Sequence, residues 1–548
     1  MLIRIRNLRR NQDGQAIILA ALGALILAIG VLATVNLGHA IHERIKLQNI
    51  ADATAYSLAA IEARAFNFFA FTNRAQVSQY VTAMSLQSWL AVFWFIDLVL
   101  GLLADVTNMI CTFACWCSES VILCPICCPI AAAICPVYGA LRSAYKAFHK
   151  IAKQVDKLLG KVIYYIGKFN RFGTYSAQRL MKEMVRINLG STALLVPEIT
   201  KENDPEAKWW PMGGIAAGVL NVLEYNEAFD TDADKLPNND INKYKDERRM
   251  MTEVTNATRY PPFVSNRKMS DFLKKIPVVG QILGAVWNFL PFKVDVVGQT
   301  KMTSVIEKCN FNMSCRCKKR FGTQFDHSQL ARGHTIVADQ VLTLSISIAK
   351  VINFDFGNAD IVSVWAHPTK GQHCIYDHWG PIPGFTCPNF YIPNPMGKCH
   401  KCGNHKWDGI EPYIKYQPDS KDEFQGQPST YVFLNKKPED LGGQAYVQKF
   451  DFTVGPRTES LDTNIGVDPL ISFFGQVKGL NAWSRGMAYY HRPSFKSGES
   501  NWHEHPNFFN PFWRAKLAPL GEKLDQFVGK LGIPGNASRI FSREFITH

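Results

Sequence analysis

Apolar positions are distributed very unevenly along the chain, and the first sixty residues show the clearest pattern. From Ala16 to Leu37 no charged residue occurs, and such a run is about the 20 residues that an α-helix needs to cross the hydrocarbon core of a bilayer. Arg4, Arg6, Arg9 and Arg10 stand before the run and none stands immediately after it. By the positive-inside rule this puts the amino end in the cytoplasm and the bulk of the chain outside. A cleavable signal has a shorter apolar core, roughly 7 to 15 residues, followed by a small-residue cleavage site. Here the apolar run passes straight into helical sequence, so we read it as an anchor. Past it, Ile41, Ile45, Leu47, Ile50, Leu58 and Ile61 recur at helical spacing. No proline interrupts the chain from Met1 to Cys124, so the pattern predicts one helix leaving the membrane. Small residues at Ala51, Ala53, Ala55, Ala59 and Ala60 predict a face that another helix approaches closely.

Further along, Trp89 to Ala104 is apolar except for Asp97, which makes it too short and too polar at its centre for a regular span. Val121 to Ala140 is also apolar, but Pro125, Pro129 and Pro136 predict a broken helix there. The two runs read as an apolar hairpin packed on the protein or against the membrane, with a spanning hairpin as the alternative. Lys146, Lys150, Lys153, Lys157 and Lys161 follow on a helix expected to reach about Leu189; its basic face meets solvent or anionic headgroups. From Pro197 to Pro262 the composition turns to Asn, Asp, Pro and Lys, and Val278 to Leu290 reads as a core or interfacial helix. Strand patterning comes later. Leu342 to Ile348 alternates strictly, and Ile361 to Trp365, Tyr431 to Leu434, Tyr446 to Phe452 and Met487 to Tyr490 are rich in β-branched and aromatic residues. The aromatic tail from Pro506 to Lys516 reads as a strand and loop docking into the core, with a partner surface as the sharper alternative.

These readings divide the chain into a basic cytoplasmic leader (1–15), a transmembrane helix (16–38), an extracytoplasmic amphipathic helix (39–84), an apolar Cys-rich hairpin (85–140), a basic helical segment (141–195), a loop-rich region with short helices (196–330) and a β-rich extracytoplasmic domain (331–548). The expected class is α+β, with a helical middle and a mostly antiparallel sheet carrying long loops. With 548 residues there is room for an anchor and two or more domains.

The net charge of +14 invites a nucleic-acid reading. Its basic residues are spread along the chain, apart from the enrichment between Arg142 and Arg186, and no nucleic-acid-binding signature accompanies them. A basic surface facing anionic envelope groups is the better use of that charge.

The fourteen cysteines fall into three groups: Cys111, Cys115, Cys117, Cys124, Cys127, Cys128 and Cys135; Cys309, Cys315 and Cys317; and Cys374, Cys387, Cys399 and Cys402. In an oxidising compartment an even total fits a bridged protein. The first two groups are odd, so if every cysteine pairs within one chain, at least one bridge leaves each, most simply joining the first group to the second. The last group has two rival readings. Structural zinc on Cys374, Cys387, Cys399, Cys402 and His405 is one, since Cys399 and Cys402 have zinc-knuckle spacing although Cys374 and Cys387 have twelve residues between them rather than two to four. A redox-active Cys399 and Cys402 pair is the other, with Gly397 and Gly403 against it.

No phosphate-binding loop, nucleophile elbow, zinc-protease helix or dinucleotide fingerprint occurs in the sequence, so no enzymatic activity, cofactor or small-molecule substrate is expected; the alternative is an envelope-anchored metal-binding protein or metal-dependent enzyme that uses the late Cys/His group. His503 and His505 flank Glu504 and read as solvated loop residues. Asp230, Asp232 and Asp234 begin like a calcium loop, but Lys235 and Ile241 stand where Gly and Glu are needed.

One resemblance adds to this. Gly14, Gln15, Ala16 and Ile17 followed by the long apolar run, and then Leu47 to Ala60 with its Gln48, Asn49, Asp52 and alanines, resemble the amino-terminal region of TadE/TadG-like proteins of tight-adherence (Flp) pilus systems. The resemblance covers about a tenth of the chain. It implies a pilin-like helix and a minor pilin or pseudopilin role in the bacterial inner membrane, with other pilin-like or pilus-assembly proteins as partners and surface adhesion as a possible outcome. Pilin-type leaders are cut after a glycine, which maps the cut between Gly14 and Gln15. The acidic residue typical five positions later is replaced by Leu19. The von Willebrand factor A motif of longer family members is absent, so its metal site is not carried over.

Overall fold

The computed structural model describes residues 13–119, 124–190, 192–209, 211–236, 245–258, 267–268, 292–303, 335–348, 352–366, 375–379, 392–393, 407, 409–417, 426–436, 480–491 and 504–519. In chain order the elements are α1 (Asp13–Ser118), α2 (Cys124–Phe169), a π-helical turn (Asn170–Tyr175), α3 (Ser176–Gly190), α4 (Thr192–Asn203), β1 (Lys208–Trp209), α5 (Pro211–Glu227), β2 (Phe229–Asp230), a 3-10 turn (Ala233–Lys235), α6 (Lys245–Thr258), β3 (Arg267–Lys268), β4 (Phe292–Thr303), β5 (Thr335–Ile348), β6 (Ile352–Ala366), β7 (Ile375–Trp379), β8 (Ile392–Pro393), β9 (Lys415–Tyr416), β10 (Ser429–Lys436), β11 (Leu480–Tyr490) and β12 (Trp513–Leu517). Helices dominate, and antiparallel sheets occupy the carboxy-terminal part. With no proline to stop it, α1 runs on through residues 84 and 85 to Ser118. The chain divides into two compact units, Met1–Phe68 with Leu180–Phe229 and Tyr416–His548, and Phe69–Arg179 with Asp230–Lys415.

The first unit holds an antiparallel sheet in the order β1, β10, β11, β12. β10 pairs with β11 over its whole length, from Ser429 opposite Met487 to Lys436 opposite Leu480. Every residue of β10 is buried, so the strand reads as a continuous core run rather than an alternation. Its other edge meets β1 at Asn435 and Leu434 alone. There α5 takes over: the Asn221 amide donates to the Tyr431 carbonyl at 3.1 Å while its oxygen accepts from the Tyr431 N–H at 2.6 Å. A side-chain amide carries one donor and one acceptor edge and so replaces a missing strand. The far edge is closed the same way, with Asn67 of α1 exchanging both bonds with Trp513 of β12, at 2.9 and 3.0 Å. β12 pairs with β11 from Gly486 opposite Leu517 to Tyr490 opposite Trp513, so this aromatic tail is a docked strand and loop. Phe508 and Trp513 pack with Phe66 at centroid separations of 5.0 and 4.7 Å, in a cluster that includes Tyr225, Phe229 and Tyr416.

In the second unit the carboxy-terminal part of α1 and α2 are the two arms of a helical hairpin. Leu90, Ala91, Trp94 and Phe95 are core residues, and Asp97 is buried against His149 of α2 at 2.9 Å. The central carboxylate that made 89–104 a poor span is thus a partnered core group, and the first half of that run is packed on protein. Gly101 lets the arms close, since a Cβ there would lie 3.1 Å from the Tyr145 ring. The prolines do not break α2 as the sequence suggests. Pro125 occupies the first turn, where no N–H is needed, and Pro129 and Pro136 lie inside the helix. Each of these two follows closely on a disulfide that ties its arm to the neighbouring one, Cys117–Cys127 and Cys111–Cys135, so the arm stays in place where a backbone hydrogen bond is lost. Cys128 is also bridged. Among the described cysteines Cys115 is the one outside a bridge.

The same unit contains a segment, Glu411 to Ile414, held by side chains of α1 and α3, in which Glu411, Tyr413 and Ile414 are buried. Asn73 donates to the Ile414 carbonyl at 2.8 Å, Gln178 accepts from the Ile414 N–H at 3.2 Å, and the Tyr80 hydroxyl accepts from the Glu411 N–H at 2.9 Å. Asn73, Gln76 and Tyr80 share one helix face, which explains polar residues at buried positions. A six-stranded antiparallel sheet, in the order β3 to β8, completes the unit. β4 pairs with β5 from Phe292 opposite Ile346 to Thr303 opposite Thr335. The expected strands at 342–348, 361–365, 431–434 and 487–490 fall in β5, β6, β10 and β11; 446–452 and the helix expected at 278–290 lie outside the described residues.

Candidate functional site

The part of α1 that follows its exposed apolar stretch has two contrasting faces, and spacing alone sets them. Leu47, Ile50, Ala51, Thr54, Ala55, Leu58, Ala59, Glu62 and Phe66 are buried, recurring every three or four residues as one helical stripe must. At Ala55 the close neighbour is a strand, β11. Gly486 of β11 lies so close that a Cβ on it would stand 2.3 Å from the Ala55 carbonyl oxygen and 2.7 Å from the Thr430 hydroxyl. The Thr430 hydroxyl donates to that same carbonyl at 3.1 Å, and Gln48 donates to the Trp483 carbonyl at 2.7 Å. On the opposite face Ile41, Ile45 and Tyr56 are exposed. Every described side chain from Ala16 to Val31 is exposed as well.

An ion cluster fastens this helix at its lower end. Lys436, only 2% exposed, contacts Glu43 at 2.7 Å, Glu206 at 3.0 Å and Asp204 at 3.1 Å, and Lys46 reaches Asp204 at 2.9 Å. Burial pushes the Asp204 carboxyl up, but the bonds from Lys46, the Glu206 amide and Lys436 together outweigh it and hold the group below the ordinary carboxylate range. Burial likewise lowers Lys436, and Glu43, Glu206 and Asp204 more than restore it, leaving its ammonium harder to deprotonate than usual. Beside the cluster an open groove of about 330 Å³ is lined by His42, Ile45, Lys46, Asn49, Ile50 and Asn203.

Glu62 sits deeper and is different in kind. Both carboxyl oxygens are buried without a hydrogen-bond partner among the described residues. Burial pushes its pKa well above the carboxylate range and the Glu224 charge pushes it the same way. A carboxyl raised on folding costs stability as pH climbs through its unfolded value of about 4.3 towards its folded value. Glu62→Gln is therefore expected to be more stable than the wild type at pH 7.5, by on the order of 1 kcal/mol, with the gain vanishing near pH 4. Urea unfolding at both pH values measures it; an equal or smaller stability at pH 7.5 would contradict the assignment.

The residues singled out from sequence fare differently. Gly14 and Gln15 lie in the first turn of α1. Asp230 is committed to Lys415 at 2.8 Å and to the Asp232 N–H at 2.9 Å, so the calcium-like triplet is a salt-bridged turn. Glu504 accepts from Tyr490 and from Asn507 at 2.7 and 2.8 Å and also from Asn510, while His505 is exposed. Cys309, Cys315, Cys317, Cys374, Cys387, Cys399, Cys402 and His405 lie outside the described residues. Among the described residues Cys111, Cys115 and Cys135 bring their sulfurs within 4.8 Å of one another, but two of them form a disulfide and so are not thiolate ligands. Lys436, Gly486 and Glu62 were not legible as site residues; the one available signal was an acidic residue, Glu62, in an otherwise small and apolar stripe.

Comparison with known proteins agrees with the helix. Residues 14–61 match the model of the putative Flp pilus-assembly TadE/G-like family, and this match suggests a role in Flp pilus assembly. It starts at Gly14, runs through the exposed apolar segment and ends one residue before Glu62. Neither a curated protein nor a solved structure gives a significant match.

Proposed function

We propose that the chain is a TadG-like minor pilin or pseudopilin of an Flp (type IVb-like) pilus system, anchored in the inner membrane by residues 16–38 with its carboxy-terminal region outside the cytoplasm. It acts in pilus assembly or surface adhesion through contacts with other pilin-like or pilus-assembly proteins. In this reading it is not an enzyme and needs no resident cofactor. The supporting observation is the division of labour along α1. The family-matching helix exposes its apolar amino-terminal part, as a membrane helix does, and uses its later part to hold a sheet on one face. The other face keeps Ile41, Ile45 and Tyr56 exposed, by 51%, 56% and 49%, at positions that fall on one side of the helix.

Large apolar side chains exposed together mark a surface for a protein partner. Changing Ile41 and Ile45, both exposed, to Asp is expected to lower recovery of pilin-like subunits with the detergent-solubilised protein about tenfold, a loss of roughly 1.4 kcal/mol. Unchanged recovery would show that the stripe is not the contact surface.

A further inference from the structure

Below the packed part of the α1–α2 hairpin, both arms are apolar outward. Met109, Phe113 and Trp116 on α1 are exposed by 70%, 65% and 71%, and Ile126, Ile130 and Val137 on α2 are exposed too. No charged residue occurs from Val106 to Ser118 or from Val121 to Leu141. By length and composition the helical stretch Pro125–Gly190 contains a segment apolar enough to cross a membrane, and little of that segment is buried. A fully solvated surface of this kind is unfavourable at about 25 cal/mol per Å², so it needs an occupant.

The adjoining charges identify one. Where the apolar zone ends, α2 carries Arg142, Lys146, Lys150, Lys153, Lys157 and Lys161, all exposed, while Asp156, the one acidic residue between Arg142 and Lys182, is buried. The register set by Cys111–Cys135 and Cys117–Cys127 puts Asp105 level with the step from Leu141 to Arg142, so charge begins at the same height on both arms. A uniformly basic flank repels a second copy of itself and attracts an anionic surface. We propose that this hairpin is a lipid-binding element: its disulfide-tied apolar end enters one leaflet of an anionic bilayer and the lysines of α2 lie against its phospholipid headgroups. From Val106 to Ser118 an arm rises only about 20 Å, short of the roughly 30 Å core. Glu119 at the turn is costly deep in hydrocarbon, so the hairpin lies obliquely within the leaflet and both its ends remain on one side. The proposal concerns lipid contact and stands whether or not the chain serves a pilus.

The test uses the full chain in proteoliposomes of phosphatidylethanolamine and radiolabelled phosphatidylglycerol. A photoreactive benzoylphenylalanine replaces Phe113 or Ile130, with Leu22 in the anchor as the positive control and exposed Lys516 as the negative one. Because the replaced side chains point outward, the buried face of each arm is untouched. Lipid adducts at positions 113 and 130 are expected at about the Leu22 yield and at least about tenfold above Lys516. Lys150→Gln with Lys157→Gln and Lys161→Gln is expected to cut the yield at position 130 severalfold, as is exchange of phosphatidylglycerol for phosphatidylcholine. Yields at the Lys516 level would overturn the proposal, as would adducts to protein instead of lipid in native membranes. Yields insensitive to both charge changes would overturn the headgroup contact.

Discussion

Gly486→Ala is expected to destabilise the unit around α1 by about 3 kcal/mol, the upper part of the usual cost of inserting a methyl into a close-packed site. The new Cβ would meet the Ala55 carbonyl oxygen at 2.3 Å and its carbonyl carbon at 2.8 Å. Both are helix backbone, which cannot swing aside as a side chain can. Relief requires α1 to lift off β11, and that stretches the Thr430 bond to Ala55 and the Gln48 bond to Trp483. The same change at Gly38, where a Cβ meets nothing within 4 Å, should be neutral or slightly stabilising, since alanine is the better helix former. Urea unfolding followed by tryptophan fluorescence compares the two. A Gly486→Ala protein as stable as the wild type would mean that α1 does not rest on β11 in this way.

The second large effect concerns Lys436. Lys436→Met keeps the length of the side chain but removes its charge, leaving Asp204 and Glu43 with less compensation in a site where Asp204 is 4% exposed. Breaking a buried ion pair from one side costs about 3 to 5 kcal/mol. The lower end applies here, because Lys46 still reaches Asp204 and because Glu206, 47% exposed, is screened by solvent and adds little. The pH dependence follows from the signs. Asp204 is lowered on folding, so its contribution is present above the unfolded carboxylate value of about 3.9 and is lost as pH falls through the folded value. Lys436 is raised, so its contribution is present below about 10.4 and is lost only above that, as pH rises through the folded value. The cluster therefore holds between these limits. Lys436→Met should flatten the acid side of the stability profile, and a variant with wild-type stability at pH 7 would contradict the arrangement.

How much of this could be read in the sequence depended on the range of the interactions. Periodicity and the absence of proline revealed α1, because helical hydrogen bonds are local. Strict alternation and β-branched content revealed parts of β5, β6, β10 and β11 for the same reason. What α1 packs against was not legible: Gln48 meets a residue 435 positions away, and nothing in Ala51, Ala55 and Ala59 distinguishes a strand from a helix as the close neighbour. The partner of Asp97 was hidden likewise, since a histidine 52 residues later has no periodic relation to it. Pro129 and Pro136 misled because a proline's cost is a local rule, while the bridges beside them hold the arm by contacts that only the fold creates. Asn221 and Asn67 are ordinary asparagines in sequence; their role at the two sheet edges exists only once Tyr431 and Trp513 present unpaired backbone groups.

The central claim is that the helix matching the TadE/G-like family serves Flp pilus assembly. Its most direct test is to delete the gene for this chain and count Flp pili by negative-stain electron microscopy. The account predicts that pili are lost from the deletion strain and return with the wild-type chain but not with Gly486→Ala. Pili in normal number and length in the deletion strain would contradict it.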